Sequence, residues 1–195
     1  MAEAVCAVRR SLSQPVLAVL VAVLAVGALV GLAYNGLVRR RNRVDATWSD
    51  IDVLLRRRHD LVPNLVSTVS GYARHESAVL QGVAQARATA IAAQGPGAQG
   101  EAEKELAGGV KTVLAVAEAY PDLKASSAFV ELQEQLAATE DGLEHARQFY
   151  NDSVFGYNNF VQTLPRSIVA AMFGFRVRQF FQAGAAERAT VSVRQ

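Results

Sequence analysis

Three histidines, a single cysteine and several arginine runs are the residues here with the types to do chemistry. His59, His75 and His145 are the candidate metal ligands. A di-iron or di-manganese carboxylate bundle sets a Glu three residues before each ligating His on facing helices. Those positions hold Arg56, Tyr72 and Gly142, so the spacing excludes that site. A zinc peptidase needs His-Glu-x-x-His, which puts two imidazoles on one helix face beside a general base. His75-Glu76 opens that pattern, but Val79 stands where the second His belongs. There is no Walker A loop, no Gly-x-Gly-x-x-Gly turn and no Gly-x-Ser-x-Gly elbow. Cys6 precedes the chain's long apolar run, in a short leader, which argues against both a nucleophile and a lipid-attachment cysteine; one thiol also makes no internal disulfide. The expectation is a protein with no catalytic residue, no metal and no cofactor.

Charge carries more information. Residues 34–93 hold nine arginines against five acids, residues 101–160 four bases against eleven acids, and residues 161–195 five arginines against one Glu, within a net charge of +2. Either the basic and acidic segments pack with complementary fields or both are solvated faces. Arg56-Arg57-Arg58 is a candidate phosphate patch, but nucleic-acid binding calls for more basic surface and interleaved aromatics, so no nucleic-acid partner is expected. Arg39, Arg40, Arg41 and Arg43 are better placed, for anionic lipid headgroups, because they adjoin an apolar segment.

That segment runs from Val16 to Ala33, eighteen residues without a charge. As a helix it spans about 27 Å, and with Pro15 and Tyr34 at its ends it approaches the roughly 30 Å hydrocarbon core. Pro15 suits a first helical turn, where its missing N–H costs nothing, and Tyr34 suits the interface. A cleaved signal peptide would have a shorter core and a small-x-small exit; here Tyr-Asn-Gly-Leu-Val-Arg-Arg-Arg follows, a stop-transfer pattern. Arg9 and Arg10 precede the run, while four arginines follow it. The heavier basic flank stays cytoplasmic, which predicts an outside N-terminus and a cytoplasmic domain.

Beyond the span, apolar residues recur at a seven-residue step, in the rows Trp48, Leu55, Val62, Val69, Glu76, Val83, Ala90 and Ile51, Arg58, Leu65, Tyr72, Val79, Ala86. These are the seam positions of a helix packed on others, reaching about residue 93 with a kink at Pro63, unless His59-Asp60 ends one helix and starts another. Gln94–Gly100 is a break. Glu101, Glu103 and Glu105 open a second helix, where acids suit its dipole, with the stripe Leu106, Val110, Val113, Ala117, Tyr120, weakened by Gly108-Gly109. Tyr120-Pro121-Asp122 ends it, and Ser126 or Ser127 caps a third helix running to about Leu164, in rows through Phe129, Leu136, Leu143, Tyr150, Tyr157 and Leu164, and through Leu132, Thr139, Ala146, Ser153 and Phe160. A short fourth helix from Pro165 to Met172 follows. Phe173, Phe175, Arg176, Arg178, Phe180 and Phe181 either close one end of the bundle or lie on the membrane surface. The expected fold is all-α, a transmembrane helix followed by an elongated antiparallel three- or four-helix bundle. Its divisions are a leader over 1–15, a span over 16–34, a bundle over 35–182 and a fraying tail over 183–195.

Polar residues interrupt the apolar rows. Arg58 and Glu76 take seam positions, and Glu140, Arg147 and Asn151 line the edge of the third helix's seam. Buried charges must be paired, since desolvating each costs several kcal/mol. Such a network either fixes the register of the helices or forms a site for a ligand or partner.

The residues also carry a family pattern. Tyr34-Asn35-Gly36-Leu37-Val38, Arg41-Asn42-x-Val44, Trp48-x-x-Ile51-Asp52-Val53-x-Leu55-x-Arg57-Arg58-x-Asp60-Leu61-Val62-Pro63-Asn64-Leu65-Val66 and Gly71-Tyr72-x-x-His75-Glu76 resemble the LemA family. Later residues agree: Tyr120-Pro121-Asp122-Leu123-Lys124-Ala125, Phe129, Leu132-Gln133, Thr139-Glu140, Ala146-Arg147, Tyr150-Asn151, Tyr157-Asn158 and Pro165. The resemblance covers about residues 16–182; Ser153, where Ala is usual, and a longer leader depart from it. It implies a bacterial membrane protein with one N-terminal span and a cytoplasmic helical bundle, and it brings no biochemical activity. It links the chain to membrane organisation, magnetosome-associated relatives among its members, and to envelope processes. It extends to the polar positions Arg57, Arg58, Asp60, Asn64, His75, Glu76, Glu140, Arg147 and Asn151.

Two functions follow as expectations. One is an anchored, non-catalytic interaction or membrane-organising module with a protein partner. The other is a membrane-surface sensor that binds a small polar ligand through the polar network.

Overall fold

The computed structural model describes residues 2–73 and 75–181, with side chains from Leu17 onward. Among the described residues there are six helices and no strand: α1 (Ala2–Ser70), α2 (Ser77–Ala92), α3 (Pro96–Ala117), α4 (Pro121–Lys124), α5 (Ser127–Gln162) and α6 (Arg166–Met172). The leader's side chains and the tail 183–195 lie outside the described residues.

The all-α expectation agrees with the structure, but the first long helix ends earlier than its periodicity suggested. The rows through Tyr72 and Glu76 kept their seven-residue step, yet the chain turns between Ser70 and Ser77. Gly71 is a poor helix former. Just before it, Thr68 Oγ1 donates to the Asn64 carbonyl at 2.8 Å and Ser70 Oγ to the Ser67 carbonyl at 2.8 Å, so side chains compete for the carbonyls of the helical ladder. Pro63 does not end α1. In the other direction, Gln94–Gly100 is mostly helix: α3 starts at Pro96, where a proline fits the first turn.

The residues group into two compact units. One contains the chain up to Arg43 together with Gly156–Val177. Its α1 stretch is apolar and long enough to cross a membrane, and none of that stretch is buried within the protein. Gly36 faces the Phe160 ring so closely that a Cβ there would lie 2.6 Å from Cζ, and Arg40 Nη1 donates to the Gly156 carbonyl at 3.4 Å. A step of four up α1 is thus matched by a step of four back along α5, an antiparallel pairing.

The other unit contains 44–155 and the segment from Arg178. Its apolar core joins Leu61, Val62, Leu65 and Val69 of α1 to Val83 and Ala90 of α2, Leu106, Val110 and Val113 of α3, Leu123 of α4 and Phe129 and Leu136 of α5. Val62, Leu65 and Val69, and Leu106, Val110 and Val113, recur at steps of three or four, while the α2 and α5 pairs stand seven apart, spacings that keep apolar side chains on one helix face.

Candidate functional site

The buried seam of this unit contains charge. Glu103 is fully buried, and Arg58 and His59 are nearly so. A carboxylate accepts hydrogen bonds, and three donors converge on this one. His59 Nε2 lies 2.6 Å from Oε1, Gln99 Nε2 donates to Oε1 at 3.1 Å, and Arg58 Nη1 reaches Oε2 at 3.5 Å. The Nε2–H tautomer of His59 is the one that makes this contact a hydrogen bond to a carboxylate. Gln99 Nε2 also donates to the Ala90 carbonyl at 3.0 Å. The Arg58 guanidinium reaches Glu140 Oε2 at 2.7 Å, and Glu140 Oε1 stands 3.9 Å from Arg147 Nη1. The network therefore ties α1, α2, α3 and α5 together.

Pro63 adds a further link. A proline has no N–H for the carbonyl four residues before it, here that of His59. Arg87 Nε of α2 donates to that carbonyl at 2.6 Å. The helix keeps its proline because a neighbouring helix supplies the missing donor.

The structure brings Arg58, Glu140 and Arg147 together, and it leaves the other polar candidates elsewhere. Arg57 and Asp60 are exposed, because each residue turns a helix by about 100° and carries these two off the Arg58 face. Asn64 is exposed, and its carbonyl accepts the Thr68 hydroxyl. His75 is exposed and Glu76 half-buried, in the turn before α2, because the break after Ser70 resets the helical phase. Arg39, Arg40, Arg41 and Arg43 are exposed.

Asn151 has a separate role. Its Nδ2 donates to the Phe181 carbonyl at 3.2 Å, while its Oδ1 accepts the Phe181 N–H at 2.9 Å. Tyr150 Oη donates to the Gln179 carbonyl at 2.9 Å, and Arg178 pairs with Asp45 at 3.0 Å. The Phe181 ring lies 6.0 Å from the Trp48 ring, with the Arg147 guanidinium 5.0 Å from its centroid. Residues 178–181 are clipped to α5 in this way. Burial pushes the Tyr150 phenol above its ordinary value; Arg178 opposes that shift and Asp45 adds to it. Burial also pulls Arg147 down from the ordinary arginine value, with Glu140 opposing and Arg58 contributing.

The sequence did not mark Glu103, Gln99, His59 and Arg87 as members of a buried network: Glu103 reads there as a first-turn acid and His59 as a candidate ligand or a helix boundary. The signal for the first two was present: the stripe Leu106, Val110, Val113, Ala117 extends backward by three and then four residues to Glu103 and Gln99. Reading Gln94–Gly100 as a break concealed it. Among the described residues no group of three or more His, Cys, Asp or Glu could hold a metal ion.

An all-α bundle whose buried charges bind one another, with an exposed apolar helix at its N-terminal end, is the class that fold and site define. A model of the LemA family matches residues 47–194, and the chain belongs to that family. Its relatives include magnetosome protein MamQ 2 of Paramagnetospirillum magneticum, 26% identical over 191 residues that cover 83% of this chain and 70% of that protein. Magnetosome protein MamQ of Magnetospirillum gryphiswaldense is 24% identical over 176 residues, 77% of this chain and 65% of that one.

Proposed function

We propose that this protein is a non-catalytic, membrane-anchored module whose bundle recruits or organises partners at the inner membrane. The observation that carries the reading is the unburied apolar stretch of α1. Nine large apolar side chains between Leu17 and Leu32 are each more than half exposed. Leaving them in water forgoes on the order of 15–25 kcal/mol, at about 1.5–3 kcal/mol for each side chain. Transfer of the stretch into an apolar surround recovers that free energy, which exceeds the net stability of a folded domain, about 5–15 kcal/mol, and supports a bilayer as its surround. The Arg39–Arg43 flank favours a cytoplasmic bundle and an outside N-terminus. The polar network supports a structural role, since Arg58, Glu103 and Glu140 already pair with one another across α1, α3 and α5. Relatives that are magnetosome proteins accord with an organising part.

A photo-crosslinking amino acid at Val53, Tyr72 or Ile91, all exposed apolar positions, tests partner binding in living cells. Discrete protein adducts, reproducible at one position and absent at the others, are expected. Absence of adducts at every position, or turnover of a substrate by the purified protein, would contradict the reading.

One observation favours the second reading, a binder of a small polar ligand. Arg147 Nε is buried without a hydrogen-bond partner. On that reading acetate or inorganic phosphate raises the unfolding midpoint of the full chain, and Arg147→Gln loses the shift while remaining folded. An unchanged midpoint in both anions counts against it.

A further inference from the structure

The unit that contains the apolar helix shows an unusual charge count. Its described side chains, 17–43 and 156–177, include Arg39, Arg40, Arg41, Arg43, Arg166 and Arg176, and no Asp or Glu at all. Two of these cations crowd one ring: Arg40 lies 4.5 Å and Arg166 4.3 Å from the Phe160 centroid. Both cations lean on the one ring, and no carboxylate among the unit's described side chains offsets their charge.

The same unit exposes a large apolar surface around α6. Leu164 and Met172 are 71% exposed, Ile168 58% and Phe173 52%, while Val169 and Ala170 form the buried side of the helix. The depth of this surface can be read from its neighbours. The Gly36–Phe160 and Arg40–Gly156 pairs fix the register of α1 on α5, and carried to the last residue of α5 it sets Gln162 at the level of Tyr34, where the apolar stretch ends. At the far end of α6 the chain turns through Gly174, whose φ of 72° suits a glycine. The Phe175 N–H bonds to the Ala170 carbonyl at 2.9 Å and the Gly174 N–H to the Ala171 carbonyl at 3.4 Å, a Schellman closure. That turn sets Phe173 and Phe175 edge-on to Tyr34, with centroids 4.9 and 5.7 Å away. Tyr34 stands directly after the apolar stretch. The exposed face of α6 therefore lies at the depth where the stretch ends.

We infer that the corner from Leu164 through Phe173 is a second membrane contact, seated beside the span at the boundary between acyl chains and headgroups of an anionic leaflet. Leu164, Ile168, Met172 and Phe173 enter the acyl edge, and the six arginines meet lipid phosphates. Interfacial segments combine these features, an apolar face with flanking cations. The inference rests on the anchored reading of α1, and the experiment separates the two.

The full chain, with Cys6→Ser and a fluorophore on Met172→Cys, is placed in nanodiscs of phosphatidylglycerol and phosphatidylcholine. Parallel samples carry the label at Leu24→Cys or Ala98→Cys. Lipids brominated near the headgroup end of the acyl chain are expected to quench the label at 172 and to leave that at 98 bright, and replacing phosphatidylglycerol by phosphatidylcholine weakens the effect at 172. Quenching at 24 by lipids brominated deep in the chain, without quenching at 172 by any brominated lipid, overturns the seat and preserves the anchor. Absence of quenching at 24 overturns both. Equal quenching at 172 in the two lipid mixtures overturns the headgroup assignment. A label at 172 shielded from iodide but untouched by brominated lipid assigns the face to a protein and overturns the inference.

Discussion

Glu103 shows how one side chain decides the character of the seam. With no exposure of its own, it accepts from Arg58, His59 and Gln99. Removing it takes the carboxylate from His59 Nε2 and Gln99 Nε2 and leaves Arg58 with Glu140 alone, a change that costs about 1–3 kcal/mol for buried groups left unpaired. Chemical denaturation of Glu103→Ala in detergent micelles is expected to show a loss of that order, whereas Glu76→Gln, outside the network, should change stability by less than about 0.5 kcal/mol. Tyr150 gives a pH signature. Its folded pKa is raised, so the neutral phenol is favoured in the fold; the contribution is complete below the unfolded value and is lost as pH rises through the folded one. Stability should fall in alkali above the ordinary tyrosine range. Tyr150→Phe should flatten that fall while costing about 1 kcal/mol at neutral pH through the lost bond to Gln179.

At the scale of the elements, Pro63 and Arg87 form one device. The proline removes a donor and the arginine replaces it, so their effects should couple. In the native chain Arg87→Met leaves the His59 carbonyl without this partner, at a cost of about 1–3 kcal/mol. In a Pro63→Ala background the restored N–H supplies the bond, and the same substitution should cost clearly less. Equal costs in both backgrounds, measured by a double-mutant cycle, would contradict the pairing. The sequence made much of this level legible. Seven-residue rows identified the buried faces of α1 and of α5 as far as Tyr157, although Leu164 at the row's end is exposed; Pro165 marked the start of α6, whereas Pro121, read only as a helix end, opens the short α4. It concealed the turn at Gly71, because the apolar step continues in phase across it and nothing in periodicity reports hydroxyls competing for carbonyls. It concealed Glu103 because an acid near a helix start has two explanations, the dipole and a buried partner. Only the position of Arg58 on another helix decides between them, and pairings between helices leave no trace in local spacing.

The whole molecule combines an apolar, unburied helical stretch with a bundle in which Arg58, Glu103 and Glu140 pair with one another. The proposed function depends on which side of a membrane the bundle occupies. Ala98 is exposed near the start of α3, far in sequence from the apolar stretch, and suits a reporter. The measurement is labelling of an Ala98→Cys, Cys6→Ser chain in intact cells with a membrane-impermeant maleimide. The account predicts no labelling until the cells are lysed, with the protein recovered in the membrane fraction. Labelling in intact cells, or recovery in the soluble fraction, would contradict it.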